Sequence, residues 1–75
     1  MPKLVPLDWK TLERIFGADG WKLAREKGDH RAYTKPGYMR PVVIPTYKSV
    51  GIDIIMSNMR TAKMTRERFF ELLGH

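Results

Sequence analysis

The chain has no cysteine, only two histidines and no long apolar run. Without cysteine there is no disulfide framework and no thiolate metal site, which suits a reducing compartment. With histidine only at positions 30 and 75, and no paired carboxylates beside them, neither a zinc site nor any other cofactor is expected. No stretch approaches the ~18 apolar residues of a membrane span. The opening MPKLVPLDW lacks the apolar core of a signal peptide. Repeats, low-complexity tracts and internal linkers are missing as well. The expectation is a soluble, cytoplasmic protein without a membrane partner, one domain over residues 1–75. At 75 residues it lies near the lower limit for a self-sufficient core, and any chemistry belongs on its surface and needs few residues.

Acids are scarce where it matters. Between residues 22 and 48 stand seven cations, Lys22, Arg25, Lys27, Arg31, Lys35, Arg40 and Lys48, against two acids, Glu26 and Asp29. That segment alone accounts for +5 of the formal net charge of +6. A positive field concentrated in this way suits a face that meets a polyanion, although a solvated basic surface has the same composition.

Periodicity supplies the rest of the frame. Asp8 can cap a first helix from Trp9 to Phe16, in which Leu12, Ile15 and Phe16 follow helical spacing, and Gly17 and Gly20 end it. Trp21, Leu23 and Arg25 then alternate with Lys22, Ala24 and Glu26, a strand with Trp21 and Leu23 toward the core. KGDH makes a turn, because Gly28 can take positive φ and Asp29 can bond its own backbone. HRAYT returns as a second strand, KPGY turns again, and MRPVVIP forms a third strand whose prolines suit an edge or its ends. Asp53 can cap a second helix bearing Ile54, Ile55, Met59 and Ala62, and Thr65 a short last helix with Phe69, Leu72 and Leu73 on one stripe. The order α-β-β-β-α(-α) predicts an α+β fold, a three-stranded antiparallel sheet packed on helices.

Gly20-Trp21, then Gly28-Asp29-His30, then the VVIP strand and a closing helical pair resemble the HicA-like (YcfA-type) mRNA interferase toxins. The similarity runs from about Trp9 to Leu73. It implies a fold like the double-stranded-RNA-binding domain, endoribonuclease activity toward mRNA, a HicB-like antitoxin partner, and His30 as the catalytic residue. Tyr47 stands where members of that family often carry a histidine.

The chemistry implied is metal-free RNA cleavage. A base takes the proton of the ribose 2′-OH, which attacks the adjacent phosphate; an acid protonates the leaving 5′-oxygen while cations stabilise the phosphorane. Imidazole suits both proton transfers near neutral pH. By residue chemistry alone His30 is either such a group or an incidental surface histidine, and Asp29 either orients it or only makes the turn. Lys27, Arg31, Tyr33, Tyr47 or water could fill the second proton-transfer role. If His30, Ala32 and Thr34 share a face, Arg31 and Tyr33 lie on the other, expected to be the open face of the sheet, with Lys22, Arg25, Lys27 and Lys35 nearby as RNA contacts. Tyr33 would there stack a base or pack across strands. A monomer is expected in the free state. Competing readings are a non-catalytic RNA-binding module of the same fold and a domain whose basic face meets an acidic protein.

Overall fold

The computed structural model describes residues 3–74; His75, the second histidine, lies outside the described residues. Helix α1 spans Trp9–Ala18. It begins where the sequence places its cap: the Asp8 carboxylate accepts the Lys10 N–H at 2.8 Å, satisfying one of the amides left free at a helix start. Leu12, Ile15 and Phe16 are fully buried. The helix continues two residues beyond Phe16, through Gly17. It closes at Gly20, whose φ of +101° lets the Gly20 and Trp21 amides return to the carbonyls of Gly17 and Phe16, both at 3.0 Å.

Three strands follow, β1 Lys22–Lys27, β2 His30–Thr34 and β3 Val42–Pro45, antiparallel in the spatial order β1-β2-β3. The β1–β2 turn places Gly28 at φ +59°, the left-handed conformation the sequence asks of it. Pro41 lies just outside β3 and Pro45 ends it, on an edge strand as anticipated. Helices α2, Ile52–Ala62, and α3, Arg66–Leu73, complete the order α-β-β-β-α-α. This is the expected α+β architecture, compatible with the double-stranded-RNA-binding-domain fold.

The Thr65 hydroxyl caps α3 by accepting the Arg68 amide at 3.1 Å. The cap expected of Asp53 is corrected: the helix begins two residues earlier, at Ile52, with Gly51 as cap residue and no side-chain cap bond, and Asp53 sits in the first turn. There its charge still opposes the positive end of the helix dipole.

One apolar cluster joins the layers, drawing Leu12, Ile15 and Phe16 from α1, Val42 and Ile44 from β3, Ile55, Met59 and Ala62 from α2 and Phe69 and Leu72 from α3. Both α1 and α2 pack on β3, so β1 overhangs the helical layer and all six of its residues are exposed. Leu23, expected in the core beside Trp21, is therefore 44% exposed, whereas Trp21, just ahead of the strand, is 2% exposed.

Candidate active site

The sheet face away from the helices is built by a single irregularity. In the β1–β2 ladder Leu23 pairs with Tyr33, but the next partner of β2, Ala32, pairs with Arg25. Ala24 is the extra residue of a β-bulge, and each bulge of this kind reverses the alternation beyond it. Regular alternation would put Lys22 with Ala24 and Glu26. The bulge puts Lys22, Arg25 and Lys27 together, opposite Thr34, Ala32 and His30. Residues facing each other across an antiparallel pair stand on the same side with Cβ atoms about 5 Å apart. The three cations thus form a rank along the open face that begins directly beside His30. None of them makes an ion pair among the described residues.

His30 opens β2 and its side chain is 53% exposed. Its Nδ1 lies 2.9 Å from Asp29 Oδ1, so in the neutral ring Nδ1 carries the proton and Nε2 keeps its lone pair. Asp29 therefore does both things considered for it: it occupies the turn and it holds the ring. The ring also neighbours Tyr47, whose centroid is 6.5 Å away in an edge-on arrangement.

The segment bearing Tyr47 is pinned at three points. The Thr46 amide and hydroxyl both donate to the Asp29 carbonyl, at 2.7 and 3.1 Å. The Trp9 amide donates to the Tyr47 carbonyl at 3.1 Å, and Leu7 and Val50 exchange backbone bonds at 3.2 and 2.7 Å. Thr46 is the positioning residue that the sequence did not disclose, since it approaches Asp29 only once β3 lies beside β2. Side chains held by neighbours in this way keep their geometry without reorganisation.

Three residues expected to contact RNA lie elsewhere. Arg31 and Tyr33 face the helices, the reverse of the expected facing. The Arg31 guanidinium stands between Glu13 at 3.3 Å and Glu26 at 3.6 Å, with its carbon 5.1 Å from the centre of the Trp9 ring. Its charge is already answered. Tyr33 is 2% exposed and its hydroxyl donates to Glu13 Oε2; burial, followed by that bond, holds its phenol well above the usual range. No base can stack on it. Lys35 reaches Asp19 at 3.6 Å and lies over the Tyr38 ring, beyond the end of β2 opposite His30. The geometry brings together His30, Asp29, Lys27, Arg25, Lys22 and Tyr47.

A family model described as "HicA toxin of bacterial toxin-antitoxin" matches residues 9–64, most of the chain and every residue of this face. The chain belongs to the HicA toxin family. It is thereby a toxin of the bacterial toxin–antitoxin kind, with an antitoxin as its counterpart. No curated protein sequence matches it. Among the described residues of this HicA-family chain, no helix is long and apolar enough to cross a membrane.

Proposed function

We propose that this HicA-family toxin is a metal-independent endoribonuclease that cleaves mRNA in the cytoplasm, with His30 as the proton-transfer residue. The observation that carries the proposal is the fixed imidazole: Asp29 engages Nδ1 at 2.9 Å and Nε2 is left free beside an unpaired rank of cations. In this reading Nε2 accepts the proton of the ribose 2′-OH, the 2′-oxygen forms a bond to phosphorus, and the bond from phosphorus to the 5′-oxygen breaks. The leaving oxygen takes a proton from water or from the Tyr47 phenol. The products are a 2′,3′-cyclic phosphate and a 5′-hydroxyl end. Lys27, opposite His30 in the ladder, stabilises the phosphorane, and Arg25 and Lys22 hold the phosphates that follow.

A HicB-like antitoxin fits the same face, covering the cations with acidic side chains and excluding RNA. The non-catalytic alternative, an RNA-binding module, differs in one outcome. Induced without an antitoxin, the wild-type protein should arrest growth and deplete mRNA, and His30→Ala should do neither. Arrest by His30→Ala equal to that of the wild type would favour the non-catalytic module.

A further inference from the structure

Three cations outside the His30 face converge on one groove. It has a volume of about 480 Å³ and lies between the β2–β3 connection, Gly37 to Arg40, and the C-terminal half of α2. Arg40, Arg60 and Lys63 line it together with Ser57, Thr61 and Tyr38, and no carboxylate does. None of the three cations forms an ion pair among the described residues. Arg31 and Lys35, by contrast, are both paired to acids. Like charges gathered without counter-charge repel one another, an arrangement that an anion relieves.

Lys63 adds a second, independent observation. It ends α2 with φ +53°, and among the described residues it is the one non-glycine at positive φ. Its amide and that of Met64 return to the carbonyls of Arg60 and Met59, at 3.1 and 2.9 Å, the helix-ending pattern in which glycine is the favoured residue. Lysine at this position strains the backbone, yet it carries an ammonium to the groove, 6.0 Å from the Tyr38 ring. Strained conformations of this sort gather at ligand sites.

We propose that this groove is a second phosphate-binding subsite for the RNA strand cut at His30, a proposal that rests on the RNA reading above. His30 starts β2 and the groove begins beyond its end, so β2 alone separates them by about 14 Å at the usual rise per residue. An oligonucleotide of several residues reaches both; a dinucleotide reaches one. Arg40 and Arg60 grip phosphate oxygens bidentately, Lys63 adds a point charge, and the Ser57 and Thr61 hydroxyls donate to the same oxygens. The subsite makes the toxin selective for RNA of sufficient length.

The test is fluorescence anisotropy at several salt concentrations, in a His30→Ala background that does not cut the probe. A labelled dinucleotide is compared with a single-stranded RNA several times longer. For the longer RNA, Arg40→Ala with Arg60→Ala should weaken binding at least tenfold and lower the salt slope by about 0.7 for each phosphate no longer neutralised. Binding of the dinucleotide should be unchanged. Lys63→Gly should weaken the longer RNA while raising the melting midpoint, which separates removal of a phosphate-binding charge from damage to the fold. Unchanged affinity and slope for the longer RNA would overturn the subsite and leave the His30 site standing. If the variants failed to bind the antitoxin instead, the groove would belong to the protein partner. Failure of the background protein to bind any RNA would remove the RNA reading, and the subsite with it.

Discussion

Tyr33→Phe separates a structural role for the middle of β2 from an RNA-contacting one. The phenol is 2% exposed and donates to Glu13 Oε2, a carboxylate that also faces Arg31 at 3.3 Å. Removing the hydroxyl leaves the ring packed and creates no cavity, so only the hydrogen bond disappears. Bonds to charged acceptors contribute about 1.5–3 kcal/mol. The Glu13 side chain is 37% exposed, so water replaces part of that bond and the lower end, about 1.5 kcal/mol, applies. For a domain this small that lowers the melting midpoint by about 6–12 °C. The pH dependence has a definite sign. Because burial and Glu13 hold the folded phenol above its unfolded value near 10, its contribution is complete below that value and is lost as pH rises through the alkaline range. The destabilisation caused by Tyr33→Phe should therefore shrink above pH ~10, measured by urea denaturation at neutral and alkaline pH. A constant difference between the two proteins at all pH values would refute the reasoning. So would a variant of unchanged stability that bound RNA more weakly.

Further outcomes follow from the same geometry. Lys27→Ala should leave the melting midpoint within about 4 °C of the wild type while weakening RNA binding and lowering its salt slope by about 0.7, as read by anisotropy across a salt series. Arg31→Ala should do the reverse, costing about 1–3 kcal/mol in urea denaturation because Glu13 and Glu26 lose their counter-charge, with little change in the slope. Thr46→Val removes one of the two bonds to the Asp29 carbonyl; RNA cleavage should fall by about tenfold while stability drops by about 1 kcal/mol or less. Cleavage at the wild-type rate would show that Thr46 holds nothing the reaction needs.

The helix starts at Asp8 and Thr65, the turn at Gly28 and the edge prolines were legible in the sequence because each depends on its neighbours alone. The basic middle segment was legible as charge, and His30 as a residue of the family pattern. The facing of the strands was not. Alternation read along WKLAREK puts Leu23 with Trp21 in the core, and nothing local marks Ala24 as the residue at which the ladder slips. Alternation groups Arg31 with Tyr33 but does not say which face of β2 turns toward the helices, and the small apolar Ala32 points to the wrong one. The partners that fix them inward, Glu13 and Trp9, lie on α1 and meet β2 only in the folded layer. The groove of Arg40, Arg60 and Lys63 joins segments about twenty residues apart, a separation that composition could not bridge.

The central claim is that His30 transfers the proton in RNA cleavage on the face where Asp29 holds its ring. The most direct measurement is cleavage of a defined RNA in the presence of EDTA, comparing wild type, Asp29→Asn and His30→Ala, with folding of each checked by circular dichroism. Wild type should cut and leave 2′,3′-cyclic phosphate ends, Asp29→Asn should cut about tenfold to a hundredfold more slowly, and His30→Ala should not cut. Cleavage by His30→Ala at the wild-type rate, or by the wild type only when EDTA is left out, would contradict the account.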